Sequence, residues 1–272
     1  MAWQIVVCGS LAPDPLQNLT PQLNPPGLAH EALLPMILDP FAAHALYEAA
    51  NLAKTAGNGS KVYLVSLGPK AKLQQLMMNV AQKVPFELVA VNCAASLLAE
   101  PNLVAAELAK AIKNIPDFDL NKLILFGGQA SATRDAGIVL PLVAQHLGIS
   151  EQFFKVDFCQ AKDATPGAEV FTIKERLAKG AYQVAEVKGL PFACTWATGN
   201  LPTPPNNPQI GMQNMRQIMP ALMKALPVSL DAASPIQDLV LPTTKRQAKV
   251  VQDMPLETMA EEIATWLKEN NK

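Results

Sequence analysis

Paired cysteines, aromatic residues and an excess of either charge are all scarce in this sequence. The four cysteines, Cys8, Cys93, Cys159 and Cys194, lie far apart and form no C-x-x-C pair, so neither a zinc site nor a disulfide framework is supported. Each sits among apolar residues, as buried thiols in a reducing compartment do. Aromatics make up 6% of the chain and the formal net charge is −1, which leaves no general field to attract nucleic acid or an anionic membrane. No apolar run reaches the roughly 18 residues that a membrane-spanning helix needs, so no direct membrane insertion is expected. The opening MAWQIVVCGS lacks the basic region of a secretory signal and reads as a first strand. These features point to a cytoplasmic protein, with the bacterial cytosol favoured and the mitochondrial matrix left open.

Catalytic signatures are missing as well. There is no G-x-S-x-G elbow, no H-E-x-x-H, no P-loop lysine, no serine-glycine-glycine loop of the nucleotide-hydrolysing kind and no G-x-G-x-x-G fingerprint. His30, His44 and His146 are too dispersed to suggest a cluster and carry ordinary structural or surface roles. The chain therefore reads as a binder rather than an enzyme.

What is present is an alternation of apolar strands and helical patterns. Residues 5–7, 61–66, 87–91 and 123–126 read as strands, and residues 41–55, 70–82, 96–114 and 135–147 as helices. Continuous apolar strands separated by helices predict an α/β fold, a Rossmann-like, mainly parallel sheet with helices on both faces. Asp39 and Pro40 mark a capped helix start, and Gly68-Pro69 marks another. Residues 168–188 read as an antiparallel hairpin turning at Lys179-Gly180, and residues 191–196 as one further strand. Glu175 and Arg176 read as an ion pair. Residues 11–40 hold seven prolines and read as a long loop or arm. The run NLPTPPNNP at 200–208 reads as extended chain, and Met212, Met215, Ile218, Met219, Leu222 and Met223 as a methionine-rich helical stripe. Residues 229–254 lack a period, and residues 255–269 form an amphipathic helix. The expected division is a Rossmann-like domain at 1–228, with a partner-recognition segment near 200–216, and a C-terminal arm with helix at 229–272.

The stretch FGGQASATRDAGIVLP at 126–141 carries the first site candidate. Gly127 and Gly128 let backbone approach a ligand, and the helix start that follows offers free amides to an anion, with Arg134 as a phosphate partner. Two other strand ends, Cys8-Gly9-Ser10 and Ser66-Leu67-Gly68-Pro69, are equally small, as a flat adenosine would require.

With these residues in view, the chain resembles the beta subunit of electron transfer flavoprotein. The carriers run in order: Ala12-Pro13-Asp14, similar to the family's valine-proline-aspartate; Asp39-Pro40-Phe41 with Ala45-Leu46-Tyr47-Glu48-Ala49, similar to its asparagine-proline-phenylalanine helix start; Val65-Ser66-Leu67-Gly68-Pro69, similar to its serine-x-glycine-proline turn; Gly127-Gly128-Gln129-Ala130, similar to its glycine-lysine-glutamine-alanine; and Leu190-Pro191 before the last strand. The likeness covers residues 3–225 and weakens in the tail. The chain departs from the family at Ser131–Leu140, where an aspartate-rich stretch is usual, and at Thr198–Pro208, which is longer and lacks an arginine-tyrosine pair, so it resembles a divergent branch.

The resemblance implies an electron carrier subunit working as a heterodimer with an alpha subunit that holds most of the FAD. It implies AMP in this subunit, or FAD in electron-bifurcating members. By position, Cys8, Gly9, Asp39, Ser66, Gly68, Gln129, Ala130 and Gly137 would line the pocket, with Gly128, Arg134 and Ile138 in the same cofactor-binding set, and Phe41 would lie beside the alpha subunit's flavin. Met212, with Met215, would contact an electron-donating dehydrogenase, and a quinone oxidoreductase would accept the electrons. Nucleic acid is not an expected partner. A bifurcating subunit with FAD in this site, and a stand-alone adenine-nucleotide sensor, stay open as alternatives.

Overall fold

Three apolar segments lie side by side at the centre of the protein: β1 (Gln4–Cys8), and, further along the chain, residues 61–68 and 123–128 on either side of it. A computed structural model describes residues 2–24, 27–93, 99–225, 227–230 and 250–270. In chain order β1 is followed by β2 (Leu11–Pro13), β3 (Pro21–Gln22), β4 (Gly27–Leu28), β5 (Met36–Leu38), α1 (Pro40–Ala56), β6 (Lys61–Gly68), α2 (Lys70–Val80), β7 (Glu87–Cys93), α3 (Pro101–Lys113), β8 (Leu123–Gly128) and α4 (Val139–Leu147). Then come β9 (Gln152–Asp163), β10 (Val170–Arg176), β11 (Tyr182–Lys188), β12 (Phe192–Trp196), α5 (Pro208–Lys224), β13 (Pro227–Val228) and α6 (Leu256–Asn270). The chain forms one compact unit over Met1–Gln237 and a second over Asp238–Lys272.

The main sheet runs β11-β10-β9-β12-β8-β1-β6-β7-β13. Every pairing from β9 to β13 is parallel, and only the β9-β10-β11 end is antiparallel. Alternate side chains therefore feed two cores. Ile5, Val7, Leu64, Ile124, Phe126, Phe192 and Cys194 face α1, α2 and α5, while Val6, Tyr63, Val65, Leu123, Leu125 and Ala193 face α3 and α4. Burial on both faces is why the strands read as unbroken apolar runs. The few aromatics concentrate where the hairpin joins the sheet: Phe171 lies 4.9 Å from Phe192 and 5.0 Å from Trp3 between ring centroids.

The structure redraws several expectations. The fourth helix starts at Val139 rather than 135, because Asp135 and Gly137 take left-handed backbone that no helix accommodates. The second helix ends at Val80. The third starts at Pro101, where Glu100 accepts a hydrogen bond from the Leu103 amide; residues 96–98 of the expected helix lie outside the described residues. Strand β9 was not anticipated. Lys155 sits at φ 53 and the register slips twice against β10, which breaks the period of two that marks a strand. The 11–40 segment is no plain loop. It holds the ladders β2–β5 and β3–β4, with prolines at their ends, where a missing amide costs nothing.

The methionine stripe is split. Gly211, Asn214, Ile218 and Leu222 face inward, while Met212, Met219 and Met223 are exposed and Met215 is half-buried. Asn214 anchors α5: its Nδ2 donates to Ala81 O (2.7 Å) and Val84 O (2.8 Å), and its Oδ1 accepts from the Phe86 amide. Of the expected partner-recognition segment near 200–216, residues 208–216 form the first half of this helix. Of the C-terminal arm, residues 231–249 lie outside the described residues, and α6 matches the expected amphipathic helix within one residue.

Glu175 and Arg176 do not pair with each other. Neighbours on a strand point to opposite faces. Arg176 Nε donates to Asp157 Oδ2 (2.7 Å) and its Nη2 to Thr198, whereas Glu175 accepts from the Phe154 amide. Asp157 is buried, and beside it Glu48 of α1 accepts from the Asn200 amide (3.1 Å). The turn there requires Gly199, which takes φ 64 and leaves no space for a Cβ beside Glu48. Desolvation, reinforced by the Asp157 charge, raises the Glu48 carboxyl above its ordinary 4.5 despite the hydrogen bonds from Asn200 and Leu201. A raised folded-state value means that this group's stabilising contribution is complete below about pH 4.5 and is lost as pH climbs through the folded value. Glu48→Gln keeps an acceptor for Asn200 and removes the charge. The stability of Glu48→Gln relative to the parent should therefore rise between pH 4.5 and 7 in urea titrations, and a pH-independent difference would contradict the burial of this charge.

Candidate functional site

After β1 the chain builds outward in one direction, through α1 to β6 and through α2 to β7. It then returns through α3 to place β8 on the other side of β1. At such a reversal the two connecting loops diverge and leave a crevice outside the strand ends. Here that crevice is a cavity of about 480 Å³, within the span of small-molecule sites.

Its walls come from four parallel-strand connections. Cys8, Gly9 and Ser10 leave β1; Leu67, Pro69 and Lys72 follow β6; Ala99, Pro101, Val104 and Leu108 belong to the approach to α3 and to α3 itself; and residues between Gly128 and Leu140 follow β8. A parallel sheet directs each of these helices away from the same edge, so the N-termini of α1, α2, α3 and α4 gather round one opening. The residues before α2 and α4 give no side-chain cap; the first amide of α2 donates instead to Asn92 Oδ1 (3.1 Å), so it is the start of α4 that offers amides to a ligand. The start of α3 is closed by Glu100, and that of α1 by Asp39.

Asp39 does more than cap. Its Oδ1 accepts from the Phe41 amide (3.1 Å) and its Oδ2 from the Ala132 amide (2.7 Å). One buried carboxylate thus ties the start of α1 to the loop after β8. Burial raises its pKa, and the amide hydrogen bonds oppose the shift. Two donors meeting two oxygens suit a carboxylate; a carboxamide would turn its NH2 toward one of them.

Glycines allow the loop to lie this close. A Cβ at Gly128 would stand 2.7 Å from Phe41 Cβ and 2.9 Å from Ala130 O. Gly137 takes φ 58, and a Cβ there would collide with the Gln129 carbonyl, so the loop doubles back on itself only with glycine at this position. Ser131 holds the turn: its O accepts from the Asp135 amide and its Oγ from the Arg134 amide.

Of the residues singled out from the sequence, Cys8, Gly9, Asp39, Gly128, Ala130, Arg134, Gly137 and Ile138 lie on the cavity wall. Phe41, Ser66, Gly68 and Gln129 are not among its lining residues. Phe41 is half-buried against Gly128, and Gly68 lets Leu11 pack over the end of β6. Ser66 Oγ and Gln129 Oε1 are buried with no hydrogen-bond partner among the described residues. Cys8 is a poor nucleophile, since desolvation pushes its thiol up to about 12. The sequence reading missed Glu31, Ala32, Met36 and Lys72, because no local pattern shows that residues before α1 fold across the opening. Apolar wall residues such as Leu11, Met36, Ala42, Val104 and Leu108 suit a flat aromatic ring, while Arg134 and the start of α4 suit an anion. Among the described residues no group of His, Cys, Asp or Glu could hold a metal, and no helix is long and apolar enough to cross a membrane.

A family model for the electron transfer flavoprotein domain matches residues 29–200, and no curated protein matches the chain. The matched span contains the loop after β8 and all four helix starts at the cavity.

Replacing Asp39 tests the tie between α1 and the loop. Asp39→Ala should cost about 1–2 kcal/mol in denaturant titrations and speed hydrogen exchange at the Ala132 amide. Unaltered exchange there would show that the carboxylate does not hold the loop.

Proposed function

Because this chain belongs to the electron transfer flavoprotein domain family, we propose that it is the beta subunit of a heterodimeric electron carrier, with AMP held in the cavity between β1 and β8. The observation that carries this reading is the cavity itself: apolar walls at a topological reversal, the uncapped start of α4 and the cationic side chain of Arg134. Such a site binds a nucleotide by stacking and by phosphate contacts and offers nothing to cleave it. The chemistry of a flavin, hydride or electron uptake, would be supplied by FAD held mainly by an alpha subunit. This chain's residues would shape that site from outside. Phe41, on the first turn of α1 and against Gly128, is the proposed contact to the flavin.

In this reading the adenylate acts as a structural strut. A ligand that binds only the native state stabilises it by mass action, and it would fill a crevice that the side chains leave open. The C-terminal arm at 229–272 is proposed to contact the alpha subunit, and the exposed Met212 to meet the electron-donating dehydrogenase. A thioether is flexible and polarisable, which suits a surface that must fit a partner's pocket. A quinone oxidoreductase is the proposed acceptor and the cytoplasm the proposed compartment. None of the four cysteines is in a disulfide, which agrees with a reducing environment.

Co-expression with a candidate alpha subunit, followed by denaturation and chromatography of released nucleotides, should yield one AMP and one FAD per heterodimer. Two FAD molecules would replace this reading with the bifurcating one, and a complex without adenylate would overturn it. In the same complex, Met212→Ala should slow reduction by the dehydrogenase about tenfold and leave the flavin spectrum unchanged; equal rates would remove Met212 from the docking surface.

A further inference from the structure

The outer wall of the cavity is a strap whose tether lies far from it in sequence. The strap leaves the β3–β4 ladder at Ala29, whose amide donates to Thr20 O, and rejoins the fold at Pro35, whose O accepts from the Asp14 amide. Between these points it turns at His30, a non-glycine residue at φ 57, into the short 3-10 turn Glu31–Leu33. No residue of that turn is buried, and Leu33 is 81% exposed. The turn's own amides bond within the strap, Leu33 N to His30 O and Leu34 N to Glu31 O. Yet Glu31, Ala32 and Met36 form part of the cavity wall.

Apolar burial does not hold this turn down. Lys72 does. From the first turn of α2, its Nζ donates to Glu31 O (3.2 Å), Ala32 O (2.9 Å) and Leu34 O (3.2 Å). An ammonium has three protons, and three converging carbonyls use all of them. Lys72 is itself half-buried and lines the same cavity. A surface lysine would leave its head group in water. This one crosses about forty residues of sequence to gather the carbonyls of one turn.

We propose that residues 30–35 are a hinged cover over the cavity and that Lys72 is the latch that sets how fast a bound ligand escapes. The hinges are His30 on one side and Pro35 on the other. Opening breaks three charge-assisted hydrogen bonds and exposes little apolar surface, so the cover can move without unfolding the sheet behind it. The closure of the cover rests on no ligand; its effect on release rests on the nucleotide reading above.

The test compares the full chain with Lys72→Met, which keeps the aliphatic stem and removes the donors, and with Lys72→Arg, which restores them. Amides of Leu33 and Leu34 should exchange about tenfold faster in Lys72→Met and near the parent rate in Lys72→Arg, and AMP should dissociate about tenfold faster from Lys72→Met. Unchanged exchange at Leu33 and Leu34 overturns the latch, and faster exchange with unchanged AMP release overturns its role in retention. Faster exchange in a protein that binds no AMP leaves the latch standing and removes the nucleotide reading instead. If Lys72→Met does not fold, acetylation of the parent protein decides the matter: Lys72 should react at least about threefold more slowly than the exposed Lys54 and Lys70, and equal rates overturn the proposal.

Discussion

The site depends on one close approach, that of the end of β8 to the start of α1. Gly128 has no Cβ, so its backbone comes against Phe41 and the Ala42 amide, and Asp39 fastens the contact by accepting from amides on both sides. The chain beyond Gly128 is thereby turned outward rather than laid across the strand ends. A larger residue at 128 would separate α1 from β8, and the crevice between β1 and β8 would lose one wall. The cavity is a consequence of this contact together with the reversal of strand order, since each without the other would leave either a filled turn or an unbounded gap.

Helix α1 is the hub on which both polar ties converge. Asp39 at its start holds the loop after β8, and Glu48, in the body of the helix, holds the turn after β12. Both carboxylates are buried and both titrate above their ordinary values, because burial disfavours the charged form more than the amide partners favour it. Each tie fixes an irregular segment to the helix. Asn214 anchors the helix α5 to the turn before β7, and Lys72 anchors the strap before β5. Four long-range polar anchors thus place three irregular segments and α5, while the sheet and its two apolar cores supply the cohesion.

Much of this could be read along the chain. Strands buried on both faces give unbroken apolar runs, so β1, β6, β7 and β8 were evident, as were the helices whose starts carry Asp39-Pro40 or Gly68-Pro69. The glycine ends of β1 and β8 pointed to the edge of the sheet where the cavity lies. Strand β9 was hidden because Lys155 and the bulges against β10 break its alternation. The split of the methionine stripe on α5 was hidden because a methionine looks the same inside a core and on a docking face, and because the inward position is held by Asn214, a residue that counts as polar in any periodicity.

By itself, then, the sequence determined the fold class, the starts of α1 and α2 and the small residues at the strand ends, since backbone conformation, capping and burial on both faces are properties of neighbours along the chain. Only the tertiary structure decided that Lys72 would gather the carbonyls of residues 31–34, that Arg176 would turn to Asp157 rather than to its neighbour Glu175, and that Asp39 would reach Ala132. These are contacts between polar groups distant in sequence, and hydrogen bonding leaves no periodic trace. Their partners are fixed only once the packed sheet has brought them within reach.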